Sequence, residues 1–271
     1  MSLAMSRYRE PTPAEVEEDK QILDAVARDD AENFGRLVSA AARRRGVDTG
    51  TVLRSAHSWP EQGRETVMHR AVRLHATRVL GALMADPLRG PHGETAGALF
   101  ASFDGHERTP LIVAALMGDS HVAEVGMLVT RGGDDAAART WTYGLTALHL
   151  AAIWGHAGVV AYLLLSGAEA DVPARGDGGN TPLMLAAHHG HVRVAEVLLE
   201  RDRSRVAARA GCDPRQQPFT WLANRDRDPA SYRPANVHAT NGINRTAMSF
   251  AMYARQNAVM GVLNDYINNR R

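Results

Sequence analysis

Lysine is all but missing from this chain: Lys20 stands alone against thirty arginines. Codon usage in a GC-rich genome produces that imbalance; selection against ubiquitin acceptor sites in a protein working inside a eukaryotic cell is the second explanation. Cysteine is as scarce. A lone Cys212 excludes an internal disulfide and suits a reducing compartment. No apolar run approaches the roughly 20 residues of a membrane-spanning helix. The first residues lack a basic stretch followed by an apolar one, and 10–20 is acidic, so neither a secretion signal nor an anchor is expected. Net charge is missing too: 31 basic against 30 acidic residues leaves +1, too little for a global field that recruits nucleic acid or an anionic membrane. These absences predict a soluble, cytoplasmic chain.

What the chain does have is self-similarity. Thr146-Ala-Leu-His-Leu-Ala-Ala-Ile-Trp-Gly-His156 returns 35 residues later as Thr181-Pro-Leu-Met-Leu-Ala-Ala-His-His-Gly-His191, and each copy runs on into a leucine pair, Leu163-Leu164 and Leu198-Leu199. A period of 20 to 50 residues denotes a stacked array. Residues 109–119 hold another clear copy. Degraded ones follow Thr66 and Thr246, and residues 22–38 keep the helical spacing without a Thr-Pro opening. Residues 1–19, with Pro11 and Pro13 among polar groups, are expected to be a flexible lead-in. The repeat domain then covers 20–271, with units near 20–45, 63–86, 104–133, 141–171, 176–203 and 241–267. Segment 43–63 is polar, arginine-rich and glycine-bearing, 86–105 is expected to be a long loop, and 204–240 an insertion or a decayed unit.

Each part of the phrase has a physical role. The threonine hydroxyl caps the first helix, and Pro110 and Pro182 sit at the first helical position, where a missing N–H costs nothing. The Ala-Ala pairs let neighbouring helices approach. Gly118, Gly155 and Gly190 stop the helix, because glycine tolerates a left-handed residue. Both helices are two to three turns long, too short to persist alone. The phrase resembles the ankyrin repeat, with its Thr-Pro-Leu-His-x-Ala pattern and 33-residue period. That resemblance implies an all-α solenoid of about six helix-turn-helix units. Counting from position 20, the copies lie 46, 43, 37, 35 and 65 residues apart, so every junction is longer than the family period and the β-turn fingers are expected to be enlarged.

The resemblance also implies a surface that binds another protein, made of finger tips and the exposed ends of the first helices. On the helices, with Leu116, these positions are Met117, Ile153, Trp154, His188, His189 and Tyr253. On the fingers they are His106, Arg108, Tyr143, Leu145, Asp177, Asn180, Ile243 and Arg245. Aromatic and arginine side chains are the usual energetic centres of interfaces. The alternative for Trp154, Leu116 and Met117 is packing beneath the enlarged fingers.

Other chemistries find little support. His188, His189 and His191 share one turn, but zinc needs three or four converging ligands and adjacent helical residues diverge. His191, His156, His149 and His69 occupy repeat positions and are expected to bond between repeats. Cys212, beside Asp213-Pro214, has neither a following helix nor a placeable histidine to activate it. Gly176-Asp-Gly-Gly179 lacks the Lys-Ser/Thr of a phosphate loop and is a turn. Arg43-Arg44-Arg45 and the arginines of 201–209 are expected to be salt-bridged surface. The expected function is therefore a non-enzymatic adaptor or scaffold, a monomer or a subunit of a hetero-complex, with no catalytic residue, cofactor, metal, nucleic acid or membrane. The alternative is an effector-like or enzyme-associated protein with a ligand site in 201–240.

Overall fold

The computed structural model describes residues 12–55, 65–84, 102–132, 138–140, 142–176, 178–212 and 232–268. Every helix in the inner layer starts from one local device. The hydroxyls of Thr12, Thr66, Thr109, Thr146, Thr181 and Thr246 each accept the backbone N–H three residues on. Each threonine thereby satisfies an N–H that has no partner within its own helix. From these caps run α1 (Pro13–Ala27), α4 (Val67–Arg73), α6 (Pro110–Met117), α8 (Ala147–Trp154), α10 (Pro182–His189) and α13 (Ala247–Tyr253). Each is followed by an outer helix: α2 (Ala31–Arg45), α5 (Thr77–Met84), α7 (Val122–Gly132), α9 (Ala157–Leu165), α11 (Val192–Leu199) and α14 (Asn257–Asn268). Inner helices pack on inner, outer on outer, and the described residues hold no β-strand beyond one isolated bridge, Arg139 with Thr146. The fold is an all-helical, two-layered repeat stack.

Two expectations change at the start of the chain. Positions 12–19 are not a flexible lead-in but the first half of α1, and the first copy does open on Thr-Pro, at Thr12-Pro13. The acidic residues concealed it: Glu15 completes the Thr12 capping box and meets the positive end of the helix dipole. The polar segment 43–63 also holds helix. Helix α2 runs through Arg45, and α3 (Thr49–Ser55) follows with Val52 and Leu53 buried. Hydrophobic periodicity fails here because arginines occupy the last turn of α2. Arg45 turns inward to Asp19 at 2.7 Å and Glu18 at 3.0 Å, and Arg44 reaches Glu18. Residues 1–11, 56–64 and most of 86–105 lie outside the described residues.

At the other end, α13 packs directly on α10 and α14 on α11, so among the described residues no helix pair stands within the 65-residue interval. After α11 come a 3-10 turn (Arg203–Arg205) and α12 (Val206–Arg209), which lies against α9 and α11. The chain returns beside them: Tyr232 donates its hydroxyl to the Glu200 carbonyl at 2.7 Å, and Ala235 its N–H to the Leu198 carbonyl at 2.7 Å.

Histidines stitch the layers together. Thr66 and Thr146 donate their N–H to Nδ1 of His69 and His149, at 3.3 and 3.1 Å. With Nδ1 accepting, Nε2 carries the proton and donates to the next unit, to the Arg108 carbonyl at 2.8 Å and the Asn180 carbonyl at 3.2 Å. A second tie runs along the turns. His191 Nε2 donates to the Ile153 carbonyl at 2.7 Å, and its ring lies so close over Gly155 that a Cβ there would stand 2.6 Å from it. The His156 ring covers Gly118 in the same way, at 2.8 Å. Hence the Gly-His phrase needs glycine for clearance as well as for its left-handed φ of 81° at Gly155.

Leu163 and Leu198 are fully buried between outer helices. Truncating either to alanine should lower unfolding free energy by about 2–5 kcal/mol. Denaturant midpoints of the single variants test this, and a loss below about 0.5 kcal/mol at both would place them outside the core.

One junction is electrostatically costly. Glu124 on α7 is wholly buried, with His75 Nδ1 2.7 Å from its carboxyl group. Burial pushes its pKa above the ordinary 4.5, against the weaker pull of a backbone bond and His75, while Asp29 pushes it further. A carboxyl group whose folded pKa is raised stabilises the fold in its neutral form, so this contribution is full below pH 4.5 and is lost as pH rises through the folded value. Glu124→Gln should therefore gain in melting temperature over the parent as pH rises from 4.5 to 8. A difference that stays flat with pH would refute the assignment.

Candidate functional site

The final residue of each inner helix points away from the stack, because the turn that follows leads to the outer layer and leaves that side chain uncovered. Met117, Trp154 and His189 hold this position, the first two 42% and 61% exposed and His189 exposed beside them; the helix of the last unit ends one residue earlier, on Tyr253, which shares the register of Ile153 and His188 and is 75% exposed. Trp154 and Met117 are thus not packed beneath the fingers, whereas Leu116 is half-buried. One position earlier, Ile153 is half-buried and Met252 is 62% exposed. His188 is half-buried, its ring stacked on Tyr253 at 6.4 Å and edge-on to Phe250 at 6.0 Å. Partial burial and the neighbouring His188 and His191 depress the pKa of His189. A continuous stripe of Met, Trp, His and Tyr therefore crosses four successive units.

The fingers form a second row, pinned one to the next by the backbone. Glu107 accepts from the Thr142 N–H and hydroxyl at 2.9 and 2.7 Å, Gly176 donates to the Tyr143 carbonyl at 2.9 Å, and Gly242 to the Gly178 carbonyl at 2.7 Å. On this row Tyr143 is 57% and Ile243 65% exposed, and His106 and Arg245 are exposed as well. The Arg245 guanidinium sits 5.8 Å from the Tyr253 ring, joining the finger row to the helix stripe. Arg108 is half-buried and bound to Asp104, at 2.8 Å through Nε and 2.7 Å through Nη2, and Leu145 is half-buried. Burial opposes ionisation of Asp104, but the Arg108 side chain and the N–H groups of Arg108 and His106 outweigh it and lower the pKa.

Asn180 belongs to a different category. It is buried, and its Oδ1 accepts from Asn241 Nδ2 at 2.8 Å while its carbonyl serves His149. Its polarity reads as surface in a linear sequence, yet it is spent inside the stack. Asp177 lies outside the described residues. Sequence reading overlooked Met252, which stands at the position of Ala152 and Ala187 yet is exposed, and Arg175, exposed on the finger between Tyr143 and Ile243.

The remaining candidates are quiet. The described residues contain no group of three or more His, Cys, Asp or Glu side chains placed to hold a metal, and the rings of His188 and His189 meet edge to face. Cys212 is half-buried, and burial followed by the charge of Asp119 pushes its thiol pKa up, away from reactivity. An open cleft of about 400 Å³ lies between α11 and α14, lined by Glu196, Glu200, Arg201, Arg209, Asp265 and Tyr266 among others. Its charges largely answer one another: Arg209 reaches Glu200 at 2.9 Å, and Arg201 lies over Tyr266 at 4.9 Å. No described helix is long and apolar enough to cross a membrane.

A family model for ankyrin repeats, in three copies, matches residues 88–174 and 127–210. Those intervals hold α6 to α12 and the most regular part of the stack. Ankyrin repeats are general protein–protein interaction modules. With the threonine caps, the glycine-stopped inner helices and the two-layered stack, the match shows that this chain carries ankyrin repeats.

Proposed function

We propose that the protein is a non-enzymatic adaptor or scaffold of about six ankyrin repeats that binds a partner protein through its concave face and fingers. The observation that carries this reading is the uncovered stripe of Met117, Trp154, His189 and Tyr253. Large apolar and aromatic side chains left mostly in water across successive repeats add little to the buried core of the stack. They are the residue types that dominate binding energy when an interface covers them. The helix ends beneath them are rigid, so little ordering cost attends docking. A cytoplasmic location, with the one thiol kept reduced, belongs to the same proposal.

The double variant Trp154→Ala, His189→Ala tests it. Partner capture from a lysate of the native cell should be abolished, while the unfolding free energy stays within about 0.5 kcal/mol of the parent, as for surface substitutions generally. Capture that survives both changes would move the binding surface elsewhere.

A further inference from the structure

The chemistry of the uncovered surface narrows what covers it. Among the described residues on this side, the carboxylates are committed: Asp104 to Arg108 and Glu107 to Thr142. Arg175 and Arg245 are exposed and have no carboxylate within ion-pairing distance in the described structure. Arg175 lies close enough to Arg139 on the preceding finger that its charge, after burial, depresses the pKa of Arg139 against the opposite pull of Glu169, so two cations meet between adjacent fingers. Arg139 itself is spent on the carbonyls of Gly144 and Pro173, at 2.9 and 2.8 Å, which leaves Arg175 facing outward. The finger row is thus cationic and the helix stripe beside it apolar and aromatic, and Arg245 over Tyr253 sets the two edge to edge.

Spacing supplies the shape. Four stripe residues on successive inner helices span three interhelix distances of about 8–10 Å, or roughly 24–30 Å. An extended chain advances about 3.3–3.6 Å per residue, so about eight residues reach from Met117 to Tyr253. A helix of the same reach would need about 17–20 residues at 1.5 Å each and would be about 10–12 Å wide.

We infer that the stripe and finger row take an extended, acidic segment of a partner protein, about eight residues long. Its apolar or aromatic side chains lie against Trp154 and Tyr253, and its carboxylates meet Arg175 and Arg245. The inference rests on the protein-binding reading of this face and adds the partner's conformation and charge. Single-stranded RNA, which also combines anions with stacking rings, is less well matched. Met117, Met252 and Ile243 offer apolar contacts without a ring face for a base, and two outward cations are few for a phosphate chain.

The experiment is selection of random twelve-residue peptides displayed on phage against the full chain, followed by titration of the synthetic winners. We expect winners rich in Asp and Glu with interspersed aromatic or aliphatic residues. Affinity should fall at least tenfold with Trp154→Ala and at least tenfold with the charge reversals Arg175→Glu, Arg245→Glu, and should weaken as salt rises from 50 to 500 mM. Winners lost on Trp154→Ala but uncharged, and indifferent to the arginine reversals, overturn the acidic inference while leaving the binding face in place. Winners indifferent to Trp154→Ala and His189→Ala overturn the face as well. No enrichment above background overturns the linear segment. Displacement of a winner by a labelled oligouridylate at equal concentration, or a Trp154-dependent dimer of the chain itself, replaces the peptide with RNA or with a second copy.

Discussion

Helices of seven to nine residues do not persist in water, and apart from α1 every inner helix here is that short. The structure therefore depends on what passes between neighbours. Burial of Leu163 and Leu198 between outer helices is the larger share, but it is non-directional and would tolerate a slipped stack. Register comes from the directional bonds. In the units of Thr66 and Thr146 one imidazole closes the cap of its own helix with Nδ1 and bonds the carbonyl ahead of the next cap with Nε2. A single side chain thus sets where a helix begins and where the following unit sits relative to it. The units of Thr109, Thr181 and Thr246 have Ile112, Met184 and Ser249 at that position, so the junctions after Thr109 and Thr181 lack this relay and are tied instead by Glu107 to Thr142, Asp119 to Val159 and Asn180 to Asn241.

The turns show a second economy of means. In the units with a regular turn, one residue of the turn adopts a left-handed conformation: directly after the inner helix it is glycine, at 155 and 190, and one residue further on it is Asp29, His75 and Arg255 elsewhere. The difference lies in the neighbour. Over Gly155 and Gly190 the next unit lays His191 and the Gln256 amide, and a Cβ would collide with either; Gly118 lies likewise beneath His156. Asp29 instead carries its carboxylate onto the N–H groups of Arg78 and Val79 at the start of α5, and Asp119 does the same for Val159 of α9. At His75 the left-handed turn aims an imidazole at Glu124. The strain of a non-glycine left-handed residue, of the order of 1 kcal/mol, is accepted where its side chain bonds the next unit.

Much of this was legible from residue types. Thr-Pro openings, Ala-Ala pairs and Gly-His turns are local chemistry and read correctly wherever they are intact, as at Thr109, Thr146 and Thr181. Reading failed where charge stood in for hydrophobicity. Glu15 and Arg45 belong to helices whose ends they stabilise, but acidic and basic runs read as solvated linker. At the candidate surface the sequence located Trp154, His189 and Tyr253 by register and could not see that Asn180 is turned inward. That depends on Asn241, sixty-one residues away, which only the stacked fingers bring to 2.8 Å. Met252 escaped for the opposite reason, since an apolar residue inside a helix reads as core until its face is known.

The separation between scaffold and surface has a physical origin. Within the phrase, the threonine is occupied by the cap, the fourth residue by the relay where it is histidine, the alanines by close helix approach and the glycine by clearance. The last residue of the inner helix has no such duty: its side chain leaves the helix where the chain bends toward the outer layer and stays exposed. It can vary from Met to Trp to His without altering the stack, as it does between 117 and 189. A position free of structural duty, and carried at a fixed spacing by the rigid ones, is where a repeat protein acquires individuality. Large side chains kept in water there, with Tyr253 one position earlier in the last unit, are therefore more telling about function than the histidines of the phrase, which repeat because the fold requires them.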